Sequence, residues 1–133
     1  MHSSLSPAES DTLWRYRADD HRGHVESIYL VLTLSAGRRL MIEFTLLDRN
    51  FGNYQPVVDL TVLAFGFPTL SKGIGAFRRQ WPLSDAQMDR TCLYLRLPGG
   101  EIRHGHSQGD LTNKTTGDTV SWSFDHAVDS EGL

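Results

Sequence analysis

HVESIYLVLTLSAGRRLMIEFTLLD, residues 24–48, is the stretch whose pattern decides the fold. It contains two long apolar segments around a short Ser-Ala-Gly-Arg turn at residues 35–38. In an extended chain successive side chains point to opposite faces. Glu26, Ile28, Leu30, Leu32 and Leu34 therefore share one face, and Val25, Ser27, Tyr29, Val31 and Thr33 share the other. In the second segment Leu40, Ile42, Phe44 and Leu46 oppose Met41, Glu43, Thr45 and Leu47. Neither strand has a cleanly polar face, so both sides are at least partly covered. Such strands belong to a closed or sandwiched β architecture. Their second face meets an enclosed ligand, another sheet or a partner chain.

The flanking sequence continues in the same style. VVDLTVLAFGF, residues 57–67, is a third apolar strand with Asp59 set inside it, closed by Pro68. Residues 69–76 are expected to be a flexible connection and residues 77–81 a short strand, with one helical turn opening at Ser84. Four further strand-like runs follow at residues 91–97, 101–107, 110–114 and 119–125. Turns at Pro98-Gly99-Gly100 and Thr116-Gly117-Asp118 separate some of them. Ahead of residue 24, Ser6-Pro7-Ala8-Glu9 fits a capping box and residues 14–17 a brief strand. About eight to nine strands with one or two short helices make an all-β chain, an antiparallel barrel or sandwich. The 133 residues are expected to form a single domain, with residues 1–11 and 127–133 peripheral or frayed.

Composition narrows the partners. The net charge is −3 and no basic run exceeds two residues, so there is no electrostatic footprint for nucleic acid. No run approaches the ~18 uninterrupted apolar residues of a membrane span. The N-terminus lacks the basic-then-apolar order of a signal peptide, and a cytoplasmic location is expected. The single Cys92 excludes an intramolecular disulfide, and its place in TCLYLRL suggests a buried strand thiol rather than a nucleophile.

Three groups of residues could carry chemistry. His104-Gly105-His106, read as part of one strand, would place two imidazoles on one face about 7 Å apart. With Asp110, and His126 as a third imidazole, they resemble the first cupin motif and could hold a first-row metal. Asp110 stands where that motif has Glu and no second cupin segment follows, so two surface histidines on a hairpin are the competing account. Glu26, Glu43 and Asp59 interrupt apolar runs, and a carboxylate out of water must be paired, hydrogen-bonded or protonated. A protonated acid facing an apolar cavity can protonate an alkene or polarise a carbonyl, which makes Glu26 and Asp59 candidate catalytic groups. The aromatics Trp14, Tyr16, Tyr29, Phe44, Phe65, Phe67, Tyr94, Trp122 and Phe124 lie mostly within strands and could line a ligand cavity or fill the core, with Tyr29, Phe44, Phe65, Tyr94 and Trp122 the candidate ligand contacts. No phosphate loop, CxxC or HExxH pattern occurs, and no cofactor is expected.

Residues 24–47 are similar to the early strands of the lipocalin-like proteins that include carotenoid hydratase (hydroxyneurosporene synthase), tocopherol cyclase and natural-product pericyclic cyclases. The positions that carry the likeness are His24, Glu26, Ser27, Tyr29, Gly37, Phe44, Thr45 and Leu46. A later segment resembles them through Gly109-Asp110-Leu111 and the strand bearing Val120, Trp122 and Phe124, so the likeness spans about residues 12–126. The resemblance implies a calycin-like barrel that folds a small apolar, isoprenoid- or polyketide-like ligand. It further implies work by shape and a few acids, as a cofactor-independent cyclase or hydratase or as a carrier. Those proteins carry two tandem halves and this chain matches the first. A homodimer, or a partner supplying the second half, is therefore expected.

Overall fold

The alternation of residues 24–48 becomes a hairpin. The computed structural model describes residues 24–48, 55–89 and 91–126. Strand β1 (His24–Thr33) pairs antiparallel with β2 (Arg39–Asp48) over ten positions, from His24 opposite Asp48 to Thr33 opposite Arg39. Between them Ser35–Gly37 form a single 3₁₀ turn, with the Leu34 N–H donating to the Arg38 carbonyl at 2.8 Å. Strands β3 (Val57–Phe65) and β4 (Ile74–Pro82) continue the meander, giving a four-stranded sheet in chain order. A second meander follows: β5 (Gln87–Asp89), β6 (Tyr94–Leu97), β7 (Gly100–Arg103), β8 (His106–Thr112) and β9 (Thr119–Asp125). The fold is all-β, and of the two architectures the pattern allows it is the sandwich: two antiparallel sheets that do not close into a barrel.

The core lies between the sheets. Leu40, Ile42, Phe44 and Leu46 of β2 and Val58, Leu60, Val62 and Ala64 of β3 are buried. They form one cluster with Leu95, Leu97, Ile102, Leu111 and Trp122 of the second sheet. A methyl group at Gly100 in β7 would lie 2.9 Å from Leu60 Cδ2, which shows how closely the layers approach. Ile28, Leu30 and Leu32 lean on this cluster from β1, while Tyr29 and Val31 on the other face are exposed. The two sheets are laced at one end. Asn113 Nδ2 donates to the Ala76 carbonyl at 2.9 Å, and Ser71 donates through Oγ to Asp118 at 2.6 Å.

Several boundaries differ from those expected. Strand β4 begins at Ile74, inside the expected connection, because Gly75 and Ala76 continue the ladder opposite Ala64 and Leu63. The turn expected at Ser84 is a 3₁₀ turn, Leu83–Asp85, and the residues after it form the short strand β5. The run at residues 101–107 is not one strand. Arg103 pairs directly with His106, so His104-Gly105 is a two-residue hairpin loop, made possible by Gly105 at φ +82°. Cys92 is exposed in the turn before β6, and its neighbour Leu93 takes the buried position instead. The helix expected at residues 6–9, the strand at 14–17 and both peripheral ends lie outside the described residues.

Candidate functional site

An apolar cleft of about 270 Å³ opens at one end of the sandwich. Leu32, Leu34 and Leu40, at the turn end of the first hairpin, form one wall. Val120, Trp122 and Phe124 on β9 form the opposite wall, with Phe67 from the β3–β4 connection between them. Among the described residues the lining contains no titratable side chain, and Ser121 and Ser123 are its polar members. The period-two pattern explains this composition, because Leu32 and Leu34 continue the inward face of β1, and Val120, Trp122 and Phe124 alternate inward along β9. At the rim the Arg38 guanidinium stands 5.8 Å from the Phe67 ring centroid.

Trp122 is the side chain that joins cleft to core. It is buried, and its Nε1–H donates to Ser107 Oγ at 3.2 Å, which in turn donates to the Glu101 carbonyl at 2.8 Å. This short relay satisfies a buried indole, which would otherwise carry a desolvation cost. The ring lies against glycine. A Cβ at Gly109 would overlap Trp122 Cζ2 and would sit 2.7 Å from the Gly99 carbonyl oxygen. Trp81 is seated in the same way, since a Cβ at Gly99 would be 2.8 Å from its Cη2 and Cζ2. Glycine inside a strand marks close approach by another group, and here that group is an indole.

The residues picked from sequence are not brought together. Trp122 lines the cleft, whereas Phe44 is fully buried in the core beneath β2. Tyr29 and Phe65 lie on the outer face of the four-stranded sheet and are exposed. Tyr94 is half-buried on β6, alternating with the inward Leu95, with its hydroxyl 3.4 Å from Gln87 Oε1. Glu26 and Asp59 occupy opposite faces. Glu26 lies on the inner face opposite Leu46, and Asp59 on the outer face opposite Thr45. Asp59 accepts from Gln80 Nε2 at 2.7 Å and from Arg78 at 2.5 Å, so neighbouring β4 occupies both oxygens. Six residues of strand, roughly 20 Å at ~3.3 Å each, separate Glu26 from Leu32 at the cleft. Phe67 and Phe124, members of the aromatic group, also line the cleft, whereas Val120 is marked as a contact only by its inward phase on β9.

The histidines also separate. His104 is in the hairpin loop, and Asp110 lies four residues along β8 from His106, about 13 Å at strand spacing. Among the described residues no three His, Cys, Asp or Glu side chains are grouped to hold a metal ion. His106 Nδ1 is 2.8 Å from Asp125 Oδ1 and Nε2 is 3.1 Å from Gln108 Oε1. Two acceptors, Asp125 foremost, hold this imidazole above its ordinary value. His126 behaves oppositely: burial pushes it down, and its Nε2 is buried without a hydrogen-bond partner. Partial desolvation, then the neighbouring Asp89 carboxylate, raises the thiol of the exposed Cys92 above its ordinary value, against a nucleophilic role.

A larger, polar groove of about 510 Å³ runs between β4 and the β8–β9 turn, lined by Arg78, Arg79 and Lys114 among others. Its arginines are already engaged, Arg78 with Asp59 and Arg79 over the Trp81 ring at 5.0 Å. Compared with protein-family models, curated proteins and solved structures, the chain finds no match. Among the described residues no helix is long and apolar enough to cross a membrane.

Proposed function

We propose that the protein binds a small apolar ligand in the cleft between the first hairpin and β9. The observation that carries this is a concave, almost wholly apolar wall of Leu32, Leu34, Leu40, Phe67, Val120, Trp122 and Phe124 that the sandwich leaves open. Its volume is just below the ~300–1,000 Å³ of clefts that take drug-sized molecules, so the ligand is smaller than those. The likeness to lipocalin-like proteins adds the ligand class, an isoprenoid- or polyketide-like molecule. Carriage is favoured over cyclase or hydratase chemistry. Among the described residues no acid lines the cleft, and Glu26 and Asp59 stand on opposite faces of the sheet.

The test is a titration with N-phenyl-1-naphthylamine, an apolar fluorophore, followed by competition with a monoterpene alcohol. Saturable binding to the wild type is expected, with displacement by the alcohol. Val120→Trp, which fills the cleft, should weaken binding at least about tenfold, the equivalent of ~1.4 kcal/mol. Equal binding by a folded Val120→Trp protein would overturn the proposal, as would no saturable binding at all.

A further inference from the structure

The outer face of the four-stranded sheet is not the polar surface that a solvated antiparallel sheet carries. Register lines its side chains into rows across the strands. One row is Val25, Leu47, Val57 and Pro82; another is Val31, Met41, Leu63 and Ala76. Val25, Tyr29, Val31 and Ile74 on this face are 55–67% exposed, so the apolar bands at its two ends present large side chains outward, as interaction surfaces do. Between these bands lie two polar rows, one containing Asp59 and Gln80, the other running Tyr29, Glu43, Thr61 and Arg78.

We infer that this face is the interface of a two-fold homodimer, with the symmetry axis running parallel to the strands between β2 and β3. Such an axis lays β1 over the second copy's β4, and β2 over its β3, while preserving the rows. Apolar bands then meet apolar bands: Val31 faces Ala76 of the second copy, Met41 faces Leu63, and Leu47 faces Val57. In the polar row Tyr29 lies under the second copy's Arg78, with Glu43 one strand away, so a cation meets an aromatic face and a carboxylate. An in-plane axis perpendicular to the strands reverses the rows instead. It sets Glu43 against Glu43 and the apolar end row over Arg39, so like charge and polarity mismatch reject it.

Size is consistent with a stable dimer. Four strands ~4.8 Å apart and about nine residues long at ~3.3 Å present roughly 570 Å² in projection. Pleated surface loses more accessible area than it projects, which brings each copy near the ~800 Å² of a standard interface.

Light scattering after size exclusion should give twice the 15.0 kDa of the chain. Val31→Lys should yield a monomer with unchanged circular dichroism and unchanged naphthylamine binding, since the cleft lies behind the opposite face. Geometry is tested by cross-linking in a Cys92→Ser background. Sheets ~10 Å apart exceed disulfide reach, so bismaleimidoethane is used. Mixed Val31→Cys and Ala76→Cys proteins should cross-link to each other, and neither should cross-link to itself. A wild type that is monomeric up to its solubility limit overturns the inference. So does a dimer that survives Val31→Lys, or a Val31→Cys protein that joins to itself, which would indicate pairing through the β1 edge.

Discussion

Gly109 shows how a single position can govern a buried ring. Its missing side chain is the space occupied by Trp122, with the Gly99 carbonyl closing the other side. Gly109→Ala must displace either an indole anchored on Ser107 or a backbone carbonyl. The expected outcome is a loss of about 1–3 kcal/mol, the ordinary cost of overpacking, read as a lower urea midpoint. Near-ultraviolet circular dichroism should change with it, because the Trp122 environment moves. This packing was not legible from sequence, where Gly109 enters only through the likeness carried by Gly109-Asp110-Leu111. The functional candidates had the same difficulty. Tyr29 and Phe44 are both strand aromatics, and only their phase on the pleat separates an exposed ring from a buried one.

At the scale of elements, β2 is the strand that organises the first sheet. It pairs on both sides, with β1 and β3, and its inward residues Leu40, Ile42, Phe44 and Leu46 are at most 5% exposed. Phe44→Ala should therefore cost about 3–5 kcal/mol in unfolding free energy, the range for truncating a buried phenylalanine. A Phe44→Leu variant should lose clearly less, and a similar loss for both would contradict the packing described. These strands were legible from alternation because β1, β2 and β3 are long and regular. The second sheet was less so. Its strands are short, and the division of residues 101–107 depends on a two-residue loop with glycine at positive φ inside a run that scans as continuous.

For the whole molecule, the lacing between the sheets makes stability depend on pH. The Ser71 hydroxyl, then its N–H, donate to the Asp118 carboxylate and, with Thr116 beside it, hold that carboxyl below the ordinary 3.8. A depressed carboxyl contributes stability that is fully present above its unfolded value and is lost as pH falls through the folded one. Asp118→Asn should thus lower the urea midpoint at pH 7, and the difference from wild type should shrink towards pH 3. The two histidines at the far end of β8 and β9 act in opposite senses. His126, pushed below 6.5 by burial, favours the fold above that value and opposes it as pH falls. His106, raised above 6.5 by Asp125 and Gln108, contributes below that value and loses its contribution as pH rises through the folded one. An NMR titration should find the His126 ring protonating at lower pH than the His106 ring. The reverse order would contradict the placement of His126.

Alternation along residues 24–48 and 57–65 was enough to determine an all-β chain, the hairpin at its centre and which side chains share a face, because a strand's side-chain period is two whatever surrounds it. It also showed that the outer face is not cleanly polar, which survives in the structure as apolar bands on the four-stranded sheet. The choice between barrel and sandwich, the separation of Glu26 from Asp59 and the cleft behind Trp122 were decided by tertiary structure. Each depends on which strands become neighbours and how closely two sheets approach. Those distances are set between residues far apart in the chain, where local pattern has no reach.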